Sequence, residues 1–197
     1  MNFLAHAYLS GNDENIIVGN FIADHVKGKV INNYNVEILK GIKLHRRIDA
    51  FTDSHPIVRE STGRLKEQFG RFSGVIVDMF YDHFLAKNWN DYSEVPIKKF
   101  TAGIYRVMMN HFMILPPKTR RILPFIMADD WMASYANLEG LNMALTGMSR
   151  RTNFNSGMEH AVEALKKDYS LYKDEFSAFF VELSADSSRF LTEIDMS

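Results

Sequence analysis

Residues 73–89 read Ser73-Gly74-Val75-Ile76-Val77-Asp78-Met79-Phe80-Tyr81-Asp82-His83-Phe84-Leu85-Ala86-Lys87-Asn88-Trp89. Val75, Asp78, Asp82, Leu85 and Trp89 recur at three- and four-residue spacing, the seam of a core-facing helix. Ile76, Phe80 and Phe84 make the rest of this segment apolar as well, so it reads as a central helix. Two of the five seam positions are carboxylates. His83 follows Asp82 but lies about 100° round the helix axis, at ~3.6 residues per turn.

Working outward, the same texture covers the chain. Strict apolar-polar alternation is scarce, and Met, Leu, Ala, Lys and Glu are plentiful. Helices are expected near residues 3–10, 14–27, 35–54, 57–69, 73–89, 96–112, 117–134, 137–148 and 157–193, the last one broken. Asn12-Asp13 is placed to cap the second helix, Gly28 to end it and Ser73 to cap the central one. Pro56 suits a first helical turn. Pro96 and Pro116-Pro117 open new segments. No repeat, linker or low-complexity stretch appears, so residues 1–197 read as one all-α domain, a single helical bundle.

The 197 residues carry 23 basic and 24 acidic side chains and a net charge of -1. That balance offers no global attraction for nucleic acid or an anionic membrane. With no cysteine, disulfides and thiolate metal sites are excluded. The opening residues lack the basic leader of a signal peptide, and no apolar run reaches the ~20 residues that span a bilayer. The expected location is cytoplasmic.

The chemistry lies in where His and Asp fall. In segment 35–54, His45, Asp49 and Asp53 follow one another at four-residue steps, on a stripe begun by Ile38 and Ile42. In segment 14–27, Ile17, Asn20, Phe21 and Asp24 share a face. His6 sits in the apolar opening stretch. A lone inward His or Asp is usually a satisfied core group or a cap. Here Asp24, Asp49, Asp78 and Asp82 fall on or beside inward stripes of three helices, and burying each unpaired costs several kcal/mol. A divalent cation reverses that cost, with imidazoles from His6, His45 and His83 available beside the carboxylates. Such a mixed donor set suits Mn²⁺, Fe²⁺, Zn²⁺ or Mg²⁺. Other features are blander: Arg120-Arg121, Arg150-Arg151 and Lys166-Lys167 read as solvated faces, and His111 as a core-edge residue.

Four blocks carry a resemblance. They are Met1-Asn2-Phe3-Leu4-Ala5-His6, Gly19-Asn20-Phe21-Ile22-Ala23-Asp24, Gly41-Ile42-Lys43-Leu44-His45-Arg46-Arg47-Ile48-Asp49 running on to Thr52-Asp53, and Asp78-Met79-Phe80-Tyr81-Asp82-His83-Phe84-Leu85. In order and spacing they resemble the acyl carrier protein phosphodiesterase family, with weaker echoes at Trp131, Tyr135 and residues 147–151. The resemblance implies a helical fold related to the HD-type metal phosphohydrolases, Mn²⁺ as the usual metal, and removal of the 4'-phosphopantetheine arm from holo-acyl carrier protein to give the apo-protein.

On that reading His6, Asp24, His45, Asp78 and Asp82 are the candidate metal ligands. Asp49 is a ligand or orients His45, His83 is the acid for the leaving serine oxygen, and Arg46 and Arg47 clamp the phosphate. Carrier proteins are acidic, so a basic rim is expected around Lys43, Arg46, Arg47, Arg59, Arg64 and Lys66. Two rivals share the pattern: a phosphohydrolase acting on nucleotides, and a non-catalytic helical binding module whose polar groups are structural.

Overall fold

Helix α5 (Ser73–Lys87) is the one about which the others pack, and its Ile76, Val77, Met79, Phe80, Tyr81, Phe84 and Leu85 have no exposed surface. This computed structural model of the protein describes residues 2–195; Met1 of the opening block and residues 196–197 lie outside them. The other helices are α1 (Phe3–Leu9), α2 (Glu14–Ile22), α3 (Val36–Ser54), α4 (Pro56–Phe69), α6 (Ile97–Asn110), α7 (Pro117–Ala128), α8 (Trp131–Ser134), α9 (Leu138–Arg151), α10 (Ala161–Lys167) and α11 (Tyr169–Asp195). Among the described residues there is no strand, so the chain is all-α, as its periodicity implied.

Helix α11 closes one side of α5 with aromatic rings. Phe84 stacks on Phe176 with centroids 5.9 Å apart, Tyr81 tilts against Phe179 at 5.4 Å, and Phe80 meets Tyr172 edge-on at 5.3 Å. Such pairs add ~0.5–1.5 kcal/mol each beyond the area they bury. Helices α1, α4, α8 and α9 pack on the remaining sides of α5.

Several ends follow the sequence and others do not. Asp13 caps α2 by accepting from the backbone N–H groups of Asn15 and Ile16, and Pro56 occupies the first turn of α4. Ser73 does not cap α5: its hydroxyl donates to the carbonyl of Gly70 at 2.8 Å. The second helix stops at Ile22 and continues as a 3-10 turn over Ala23–His25. Segment 117–134 is two helices, because Asp130 takes a left-handed conformation at φ 40°. Its carboxylate accepts from Thr101 Oγ1 at 3.1 Å and Tyr105 Oη at 2.9 Å, so anchoring to α6 offsets the local strain.

The contact that matters for the site is α2 on α3. A Cβ added to Gly19 would come within 2.0 Å of the Ile38 carbonyl oxygen, and one added to Gly41 within 2.2 Å of that of Ile16. Only glycine permits two backbones to approach so closely. The crossing sets Asn20 of α2 beside His45 of α3, one turn beyond Gly41.

Candidate metal centre

His6 on α1 and His45 on α3 are buried side by side, their rings stacked with centroids 4.2 Å apart at 25°. His6 Nε2 lies 3.3 Å from Asp49 Oδ1. His45 Nε2 lies 3.1 Å from Asp49 Oδ2 and 3.4 Å from Asp24 Oδ1, yet is aligned for a hydrogen bond with neither. His45 Nε2 thus faces two carboxylate oxygens without bonding to either. His6, His45 and Asp49 each offer an atom within 4.8 Å of the others, a set of two nitrogens and a carboxylate, with Asp24 beside it, 3.4 Å from His45 Nε2. That chemistry fits a divalent transition metal.

The electrostatics agree. Burial holds the His6 imidazole below its ordinary pKa. Burial acts on His45 in the same direction, but Asp24 and Asp49 outweigh it and hold that ring at about 9. Asp24 is held below the usual carboxylate range by His45. Asp49 is partly desolvated, which opposes ionisation, but His45 and His6 overcome that and keep it ionised. The cluster therefore stabilises positive charge at its centre.

The ligand atoms open into a pocket of about 380 Å³ lined by Asn2, Phe3, His6, Ala7, Ile17, Asn20, Phe21, Asp24, His45, Asp49, Asp53, Val75, Asp78 and Met148. Asp24 and Asp49 keep 77% and 44% of their side-chain surface accessible, so a solute can reach them. Asp53 has a raised pKa, from burial and from the neighbouring charges of Asp78 and Asp49. No lysine or arginine is among the lining residues.

The pocket thus brings together His6, Asp24, His45, Asp49 and Asp78 of the expected set. Asp82, His83 and Arg47 have partners elsewhere. Asp82 has no exposed surface and accepts from the backbone N–H groups of Asn2 at 3.1 Å, Leu4 at 2.8 Å and Ala5 at 3.4 Å. It caps α1, and burial pushes its pKa up to about 7. His83 is sealed between the Tyr135 carbonyl, 2.7 Å from Nδ1, and Tyr169 Oη, 2.8 Å from Nε2; burial drives it down to about 4. Arg47 forms a two-point ion pair with Asp186 of α11, at 2.7 and 2.5 Å. Arg46 is exposed and does not line the pocket. Of the expected basic rim, Arg64 is also engaged, by Glu175 and by the Tyr172 ring 4.7 Å away.

Sequence reasoning gave no role to Asn20, Asn2 or Met148. Asn20 was visible as the polar member of the Asp24 face, one turn earlier. Asn2 and Met148 reach the pocket only through packing, from residues remote in sequence.

The family model described as acyl carrier protein phosphodiesterase matches residues 1–183. The chain belongs to the acyl carrier protein phosphodiesterase family. Among the relatives it resembles, the acyl carrier protein phosphodiesterase of Photorhabdus laumondii subsp. laumondii is 30% identical over 183 residues, 91% of each chain. That of Serratia proteamaculans is 28% identical over 184 residues, 93% of this chain and 95% of its own. That of Escherichia coli O157:H7 is 28% identical over 190 residues, covering 96% and 98%. No solved structure matches. The kinship with HD-type phosphohydrolases therefore remains an implication of the sequence resemblance. Membership of an acyl carrier protein phosphodiesterase family makes the chain a hydrolase of phosphoric diesters. No helix among the described residues is long and apolar enough to cross a membrane.

Proposed function

We propose that the chain removes the 4'-phosphopantetheine arm from holo-acyl carrier protein in a divalent-metal-dependent hydrolysis, with Mn²⁺ the metal that the family resemblance implies. One observation carries the metal dependence. The pocket presents Asp24, Asp49, Asp53 and Asp78 with no lysine or arginine among its lining residues. An anionic phosphodiester would be repelled from such a site unless a bound cation reversed its charge. His6, His45, Asp49 and Asp24 are the residues that would hold that cation, with Asp78 on the adjoining wall. When bound, it supplies positive charge at the phosphoryl group and makes water a competent nucleophile near neutral pH.

The remaining work falls to the chain's own side chains. Water adds to phosphorus and gives up a proton to solvent, the bond to the serine oxygen breaks so that the arm leaves as a phosphate monoester, and the serine oxygen takes up a proton. Asp53, an exposed carboxyl in the pocket wall, is the proposed donor. It replaces His83 in that role, because both ring nitrogens of His83 are engaged inside the core. Phe3, Phe21, Val75 and Met148 give the pocket apolar walls that limit water. Arg47 is pinned to Asp186 and is left out of phosphate binding. Asp82 is left out of the ligand set, since its oxygens cap α1.

The test is Asp53→Asn against Asp49→Ala on holo-acyl carrier protein. Asp53→Asn should lower turnover by about 10²–10⁴-fold, the usual worth of a general acid, with metal still bound. Asp49→Ala should lose both metal and turnover. Wild-type activity in Asp53→Asn would remove it as the acid. Turnover of free nucleotides without carrier protein would favour the rival phosphohydrolase reading.

A further inference from the structure

Both histidines of the centre share one acceptor. Asn20 Oδ1 lies 2.8 Å from His6 Nδ1 and 3.1 Å from His45 Nδ1. The direction of those bonds follows from the other end of the amide. Asn20 Nδ2 is 3.0 Å from the backbone carbonyl oxygen of His6 and 2.8 Å from Ser10 Oγ. A backbone carbonyl can only accept, so the nitrogen of the amide must face it and the oxygen must face the rings. Ser10 Oγ spends its own proton on the same His6 carbonyl at 2.7 Å, leaving its lone pairs for the amide. An amide oxygen accepts only, so Nδ1 of each ring must carry hydrogen.

We infer that Asn20 is a positioning residue that sets the protonation pattern of both imidazoles and aims both Nε2 atoms at the metal. The inference rests on the proposed metal reading and adds how the two nitrogens come to be donors. With Nδ1–H fixed, Nε2 is the one nitrogen of each ring able to offer a lone pair to a cation, and the shared acceptor holds the rings in their stack. Asn20 is 1% exposed, so water does not replace it. A hydrogen bond at the far nitrogen also makes the ligating one more basic.

The first measurement needs no variant. Nitrogen-15 spectra of the metal-free protein should show hydrogen on both Nδ1 atoms; a ring protonated on Nε2 alone would overturn the inference. Zn²⁺ loading should then shift Nε2 and leave Nδ1–H in place. Asn20→Leu removes the acceptor at similar volume, and Asn20→Asp keeps an acceptor but loses the donor. Titrated with Mn²⁺ and Co²⁺, Asn20→Leu should bind about 10–100-fold more weakly, with Asn20→Asp recovering part of that loss. Unchanged affinity in a folded Asn20→Leu would refute it. If Asn20→Leu fails to fold, the wild-type spectra still decide. If wild type binds neither metal, the metal reading falls while the Nδ1 assignment is judged on its own.

Discussion

At the scale of single residues, identical chemistry receives opposite environments. His45 faces two carboxylates that overcome its burial, whereas His83 meets only a carbonyl and a phenol and is driven down to about 4. The sign of the resulting pH dependence follows. With a folded value near 4 and an unfolded value of 6.5, the unfolded chain binds more protons between those limits. His83 therefore contributes stability that is fully present above pH 6.5 and lost as pH falls through 4, about 3 kcal/mol in all at ~1.4 kcal/mol per unit. Asp82 beside it runs the other way. Its folded value of about 7 exceeds its unfolded 3.8, so its contribution is lost as pH rises through 7. Denaturant titrations of wild type and His83→Gln from pH 4 to 7 should separate the two, the variant losing the acid-side destabilisation. Parallel curves would show that His83 is not held neutral. Among the residues that meet in the pocket, His45 and Asp49 were legible because helical period puts them on one stripe, Asp24 because it shares a face with Asn20, and His6 as the one imidazole in an apolar opening stretch. Asp82 and His83 were misleading because an inward carboxylate or imidazole looks the same in sequence whether it meets a cation or a backbone.

At the scale of elements, the site depends on how three helices are brought together. Asp82 on α5 holds the start of α1 through three backbone N–H groups, and α1 carries His6. Asp82→Ala leaves those donors unsatisfied in the core and should cost roughly 2–4 kcal/mol, read by chemical denaturation. It should also weaken Mn²⁺ binding by displacing His6, although no Asp82 oxygen touches the pocket. Unchanged stability would show that the cap is not what seats α1. Gly41→Ala probes the other joint. Its new Cβ would meet backbone of α2, which cannot move as a side-chain tip can. A loss of ~3 kcal/mol or more, of the overpacking kind, is expected, with metal affinity falling because Asn20 and His45 part. Helix ends were legible where a cap or proline announced them, at Asp13 and Pro56. The break at Asp130 was not, because it depends on Thr101 and Tyr105 from another helix.

At the scale of the whole molecule, an apolar bundle centred on α5 holds an acidic pocket open at one side. The family match and the charge of that pocket bear on the function together. The relatives are named acyl carrier protein phosphodiesterase, and the proposed cation would offset the carboxylates that face an entering phosphate. A binding module with a structural polar network would keep the same thermal stability with and without chelator. A metal centre should lose several degrees of melting temperature on chelation, because binding contributes RT ln(1 + [L]/Kd) to the folded state. The most direct test of the central claim is to incubate chelator-treated protein with holo-acyl carrier protein, with and without added Mn²⁺, and weigh the carrier protein by mass spectrometry. Loss of the 4'-phosphopantetheine mass is expected with Mn²⁺ and none without it, and none with His45→Ala in either case. Equal loss in the chelated sample, or no loss from folded, Mn²⁺-loaded protein, would contradict that claim.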